Sequence, residues 1–170
     1  MTLVQDDVIG TSGVPWGLEE KKMWLGQQII KRSYQQQVVS KIEEIEHSFS
    51  EQLSVEQYGV LSCDPDNYTL WVIKTKHWQV DKPTVLVTGG VHGYETSGVQ
   101  GALRFVESTL LTYTDRFNFI VAPCLSAWGY ETFTRWTGAA IDPNRSFNQD
   151  TDVEECRYLM TYVAGLNISI

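Results

Sequence analysis

The sequence predicts an α/β fold, a mixed and partly parallel sheet flanked by helices. Three features carry this reading. Two strand-like segments flank a turn at Asp64-Pro65-Asp66-Asn67, two continuous apolar runs lie at 84–88 and 117–121, and helical periodicity fills the stretches between and around them. Strands that alternate with helices imply parallel pairs, because a parallel connection needs a crossover of a dozen or more residues.

Residues 1–17 contain Gly10, Gly13, Pro15 and Gly17 and read as an irregular leader. From Leu18 to about Glu46, Trp24, Leu25, Ile29, Ile30, Tyr34, Val38, Ile42 and Ile45 recur at three- and four-residue steps. That spacing predicts an amphipathic helix, or two, with one face on a core. A coiled-coil partner helix is the weaker alternative, because the heptad is not sustained.

Gln57–Ser62 and Tyr68–Lys74 (YTLWVIK) are expected to pair as a hairpin across the Asp-Pro-Asp-Asn turn. Thr84–Thr88 (TVLVT) is continuously apolar, as expected of a central strand covered on both faces. Glu95–Leu111 reads as a helix with Val99, Leu103, Val106 and Leu110 on one side, and Phe117–Val121 as a buried strand stopped by Pro123. Thr151–Ala164 is predicted as a final helix, with Thr151 and Glu154 as a capping box, and Leu166–Ile170 as the start of a strand.

Composition narrows the function. The net charge of −8 argues against nucleic acid, which demands clustered Lys and Arg, and gives no attraction to an anionic membrane. No apolar run reaches the roughly 18 residues needed to span a bilayer, and the acidic N-terminus MTLVQDDVIG is unlike a signal peptide. Cys63, Cys124 and Cys156 are too few and too scattered for a disulfide framework. Free thiols and a cytoplasmic setting are therefore expected.

Two islands carry chemistry. In TVLVTGGVHGYE (84–95) an expected strand runs into Gly89-Gly90 and then presents His92 and Glu95, where an open α/β sheet places its ligands. The three-residue spacing lets one imidazole nitrogen and one carboxylate converge on a single metal ion. The plainer alternative is a surface histidine beside a first-turn Glu favoured by the helix dipole. His47 and His77 lack such context and are expected to be solvated or capping residues.

The second island is RWTGAAIDPNRSF (135–147). Asn144 beside Arg145 suits bidentate recognition of a carboxylate, and Arg135 is a second guanidinium able to polarise a carbonyl. Asp142 is a candidate to orient His92 by accepting its second N–H. The plainer alternative is an Arg145–Asp142 surface pair that pins a loop.

With both islands in view, the chain resembles the M14 metallocarboxypeptidases and the related succinylglutamate desuccinylase/aspartoacylase group. The matching segments are GGVHGYETSG (89–98), Pro123 with Gly129-Tyr130-Glu131, and Arg135…Gly138…Asp142-Pro143-Asn144-Arg145-Ser146-Phe147, in order and at matching spacing across about 55–165. The resemblance implies residues 1–50 as a helical leader and 51–170 as the N-terminal part of a carboxypeptidase-like catalytic domain. It implies Zn2+ as cofactor, held by His92 and Glu95, with Arg135 catalytic and Asn144 and Arg145 binding the substrate carboxylate. The implied substrate is a peptide, or an N-acyl amino acid, with a free carboxylate, cleaved at the amide beside it.

The family's third ligand, a histidine downstream of the Asn-Arg pair, has no counterpart here, nor do its late catalytic Glu and substrate-capping Tyr. A zinc-carboxypeptidase-like domain without its C-terminal part is therefore expected, with weak zinc binding and little or no activity. A module that binds peptide C-termini without cleaving them is the non-catalytic alternative.

Overall fold

Four strands, β1 (Leu53–Val60), β2 (Thr69–Thr75), β3 (Thr84–Thr88) and β4 (Asn118–Ala122), form one sheet in the order β1-β2-β4-β3. β1 and β2 are the expected antiparallel hairpin, closed where the Asn67 and Tyr68 N–H groups donate to the Asp64 carbonyl. β2 meets β4 antiparallel and β3 meets β4 parallel, so the sheet is mixed. The computed structural model describes residues 8–166 and 168.

The helices are α1 (Leu18–Gly26), α2 (Ser40–Ser48), α3 (Thr96–Ser108), α4 (Ala127–Thr132) and α5 (Glu154–Val163). α3 is the crossover that makes β3 and β4 parallel, and it buries Val99, Ala102, Leu103 and Val106. A π-helical turn, Gln35–Val39, runs into α2. Val38, Val39, Ile42 and Ile45 then enter the same core as the strands. α5 packs on β1, where Tyr158 lies over Gly59 and the Tyr162 hydroxyl donates to Glu56.

Several expectations are corrected. The predicted helix over Leu18–Glu46 is interrupted at residues 27–33, and Leu25, Ile29 and Ile30 are exposed. The backbone there is taken by α4: the Lys31 N–H donates to the Glu131 carbonyl and the Tyr34 N–H to the Glu131 carboxylate. A helix through the segment would consume those donors internally. β4 is fully buried along its length, whereas β3 is half-buried and is the last strand of the sheet among the described residues, with a parallel bridge from Thr84 to Ile168 on its other side. The apolar run of β3 misleads because its side chains pack only partly against the core. The capping box on α5 is absent. Its N-cap is Val153, whose N–H donates to the Thr151 hydroxyl, while Glu154 reaches across to accept from the Ser62 N–H. Of the strand expected at 166–170, residues 167, 169 and 170 lie outside the described residues.

The C-terminal ends of β3 and β4 lie side by side, and the loops leaving them are laced together. Gly89 N–H donates to the Ala122 carbonyl, Leu125 N–H to Gly89 and Ser126 N–H to Gly90. Gly90 has φ +58°, a region open to glycine, and its backbone turns over Val99. One turn on, Gly93 lies against the backbone of Gly129 so closely that a Cβ would overlap the Gly129 carbonyl and the Tyr130 nitrogen.

Two predictions arise from this packing. Gly93→Ala is expected to destabilise the chain by about 3 kcal/mol or more, because backbone cannot yield as side chains do. Gly101→Ala, in open space on α3, is expected to stabilise it by roughly 0.5–1 kcal/mol. Denaturant midpoints of the two variants check the contrast.

The other concerns Glu155, buried at the start of α5. Desolvation, with help from neighbouring Glu154, lifts its carboxyl to about 7 against an opposing hydrogen bond from its own backbone. The folded state thus holds this proton more tightly than the unfolded chain. Its contribution is fully present below the unfolded value near 4.5 and disappears as pH rises through about 7. Glu155→Gln should abolish that loss, gaining on the order of 3 kcal/mol at most over the parent at pH 8 and little at pH 4.5. Melting temperatures across that range provide the check.

Candidate metal and carboxylate site

His92 is held in place by its loop. It is 4% exposed, and the Ser126 hydroxyl anchors the preceding carbonyl of Val91. Tyr94 stacks on the imidazole with ring centroids 6.0 Å apart and planes 8° off parallel, and its N–H donates to the Thr134 carbonyl. Glu95 is the N-terminal flank of α3, and its carboxylate is exposed to solvent on one side.

The two ring nitrogens face two carboxylates. Nδ1 lies 2.8 Å from Glu95 Oε1 and Nε2 lies 3.0 Å from Asp142 Oδ1. Asp142 is in turn gripped by Arg135, whose Nε and Nη2 donate to Oδ2 at 3.1 and 2.9 Å, and by the Asn144 N–H at 2.9 Å on Oδ1. Burial pulls the Asp142 carboxyl upward, yet the bonds from His92, Arg135 and the Asn144 N–H together hold it below the usual carboxylate value. Asp142 therefore stays an ionised acceptor, and Nε2 is assigned as the N–H that serves it.

That assignment leaves Nδ1 of a neutral imidazole pointing a lone pair at a carboxylate oxygen. Two acceptors at this distance need a cation between them, either a second ring proton or a metal ion. In tetrahedral zinc sites, N and O ligands at about 2.0–2.2 Å from the ion stand about 3.4 Å from each other, so Nδ1 and Oε1 need part by only about half an ångström. The donor chemistry fits two positions of such an ion. No group of three metal-ligating side chains is assembled among the described residues.

Arg135 and Asp142 thus join the predicted pair in one network, Glu95–His92–Asp142–Arg135, with the Tyr94 hydroxyl 3.3 Å from Arg135 Nη1. Asn144 and Arg145 lie on a 3-10 turn, Pro143–Arg145, immediately beyond Asp142. Both are exposed, and among the described residues the Arg145 guanidinium donates only to the Asn144 carbonyl, so its side chain pairs with neither His92 nor Asp142, although its backbone N–H donates to the Asp142 carbonyl. The Arg145–Asp142 pair that the sequence allowed is replaced by Arg135–Asp142. Two cavities of about 320 and 330 Å³ open elsewhere on the chain, and none of the five predicted site residues lines them. The site is an open shelf at the strand ends. His47 and His77 are exposed and stand apart from it.

Sequence reasoning missed two members. Tyr94 sits in the quoted segment, and its aromatic ring beside His92 was the available signal. Arg32 was hidden in the amphipathic pattern of the leader. Its Nη2 donates to the Gly93 carbonyl, its Nη1 to the Thr96 hydroxyl and its Nε to the Tyr130 carbonyl.

The model of the family Peptidase_M14, Zinc carboxypeptidase, matches residues 38–159. No curated protein sequence matches the chain. The fold is similar to that of a metallopeptidase candidate from Shewanella amazonensis SB2B, at 21% identity over 81% of this chain and 56% of that one with a TM-score of 0.65. It is also similar to a metallo-carboxypeptidase from Burkholderia cenocepacia, at 15% identity over 78% and 38% with a TM-score of 0.63. A third likeness is to bovine thrombin-activatable fibrinolysis inhibitor in complex with a tick carboxypeptidase inhibitor, at 13% identity over 83% and 57% with a TM-score of 0.57. At these identities the likeness speaks for the fold. The chain spans about half the length of the solved structures it matches, 45% and 56% of the first two. No helix among the described residues is long and apolar enough to cross a membrane. With the match to the family's model running over well more than half of its residues, the chain belongs to the zinc carboxypeptidase family.

Proposed function

We propose that this chain contributes the front of a zinc-dependent carboxypeptidase site, which hydrolyses the amide bond beside a substrate carboxylate. The observation that carries the reading is the facing of His92 Nδ1 and Glu95 Oε1 at 2.8 Å, with the far ring nitrogen committed to Asp142. His92 and Glu95 would hold the ion. When bound, zinc supplies Lewis acidity, activating a water and polarising the scissile carbonyl.

The remaining work belongs to the chain's own side chains. Asp142 fixes the tautomer and ring angle of His92. Arg135, 41% exposed in its side chain, can turn from Asp142 towards a substrate carbonyl and stabilise the developing negative charge. Asn144 and Arg145, on the exposed turn beside it, would bind the substrate's terminal carboxylate through charge-assisted hydrogen bonds. On this reading residues 51–170 form the N-terminal part of the catalytic domain and residues 1–50 a leader, of which Tyr34, Val38, Val39, Ile42 and Ile45 pack into the shared core. An N-acyl amino acid presents the same carboxylate and amide, so a deacylase would use the same groups. The free thiols of Cys63, Cys124 and Cys156 accord with a reducing, cytoplasmic setting.

Two predictions test the assignment. In competition with a chromophoric chelator, the chain should bind zinc weakly, and His92→Ala and Glu95→Ala should each lower the affinity by about tenfold or more. Equal affinity in the parent and the His92 variant would sink the metal assignment. Arg145→Ala should weaken binding of a short peptide with a free C-terminal carboxylate by about tenfold to a hundredfold, and leave its C-terminal amide unaffected. Calorimetric titration of the two peptides decides it. Carboxylate binding that survives zinc removal would favour a non-catalytic C-terminus reader, and preference for N-acetyl or N-succinyl amino acids would favour a deacylase.

A further inference from the structure

The segment that interrupts the predicted leader helix reaches the candidate site. Arg32 points its fork at three elements together. Nη2 donates to the Gly93 carbonyl at 2.7 Å, within the His92–Glu95 turn, Nη1 to the Thr96 hydroxyl at the start of α3, and Nε to the Tyr130 carbonyl of α4. No other donor among the described residues reaches the Gly93 carbonyl. The guanidinium also lies over the Tyr130 ring, 3.3 Å from its centroid, and 4.5 Å from that of Phe133.

Phe133 adds a second, independent observation. It closes α4 with φ +62°, a left-handed conformation that is uncommon for a bulky residue and persists where surrounding contacts enforce it. That conformation is what presents its ring to Arg32. On either side of Arg32 the backbone is tied to α4 as well, through Lys31 N–H to the Glu131 carbonyl and Tyr34 N–H to the Glu131 carboxylate. The strap cannot slide along α4 without breaking one of these bonds.

We propose that Arg32 is a positioning residue of the metal site: it clamps the 93–96 turn to α4 so that the His92 ring and the Glu95 carboxylate are held facing one another. The role rests on the zinc reading given above and adds to it a residue outside the segment matched by the family model. Lysine could keep the charge, but it lacks the planar fork that serves three acceptors in fixed directions.

The test uses the 170-residue chain with Arg32→Ala, Arg32→Lys and, as a control on the same strap, Lys31→Ala. Amide hydrogen exchange is read at Tyr94, Glu95 and Gly98, and at Ile120 and Val121 in β4, and zinc affinity is measured by chelator competition. Both Arg32 variants should exchange faster by about tenfold at the three turn amides with β4 unchanged. They should also lose about tenfold in zinc affinity, as supporting residues of a metal site do, with Lys31→Ala like the parent. If Arg32→Ala loosens β4 as well, the lysine variant decides. Turn exchange or zinc affinity within twofold of the parent in Arg32→Lys would overturn the proposal while the zinc reading stands. A parent chain that binds no zinc would overturn both.

Discussion

The site depends on one constraint, the close backbone contact between the loop that follows β3 and the loop and helix that follow β4. Because β3 and β4 are parallel neighbours, their C-terminal ends emerge together, and the two chains leaving them must share the same space. They do so by hydrogen-bonding to each other at Gly89, Gly90, Leu125 and Ser126, and by bringing Gly93 against Gly129 with no side chain between. This is what buries His92 without burying Glu95. An imidazole with both nitrogens committed can be enclosed, whereas a carboxylate enclosed without a partner would be driven to its neutral form.

Beyond that constraint the polar groups form a line, with the imidazole between the Glu95 and Asp142 carboxylates and Arg135 on the far side of Asp142. Asp142 has the most to balance. It is partly desolvated, yet its two oxygens collect bonds from His92, Arg135 and the Asn144 N–H, so the ionised form prevails. The arrangement links the two sequence islands physically, since the residue that orients the imidazole also fixes the start of the Pro143–Arg145 turn. Under the proposed function, motion of Arg135 towards a substrate would withdraw one counter-charge from Asp142 and leave it to lean more on His92, coupling the two through one carboxylate.

Much of this was legible in the sequence, for reasons that particular residues make plain. β2, β3 and β4 were visible because each is a short apolar run stopped by a turn-former or by Pro123. His92, Glu95, Asp142 and Arg135 were singled out by residue type and spacing, and the structure brings the four side chains into one network. The sheet order was not, since TVLVT and FNFIV are equally apolar and only pairing decides which one is central. The break at 27–33 was hidden because Ile29 and Ile30 keep helical spacing while a tertiary contact claims the backbone. Thr151 and Glu154 had the spacing of a cap, but Glu154 found Ser62 N–H, a partner ninety-two positions away in sequence. Local pattern identifies groups capable of a bond, and the tertiary fold chooses the partner.

Arg32 is the strongest case of that limit. Its three acceptors lie sixty-one or more positions ahead of it in sequence, two of them are backbone carbonyls, and a carbonyl leaves no trace in residue identity. Nor does it sit on the matched family segment, which begins at residue 38. Yet removing the strap would leave the Gly93 carbonyl without its donor and the buried Glu131 carboxylate without one of its two, the other being the Tyr68 hydroxyl. Unsatisfied groups at such a place cost on the order of 1–3 kcal/mol each. That penalty falls mainly on α4 and on the His92–Glu95 turn, and reaches the sheet where the Tyr34 hydroxyl donates to the Thr69 carbonyl at the start of β2. A sheet can therefore be intact while its site is not, and the leader is better regarded as the outer wall of the site than as an appendage to the domain.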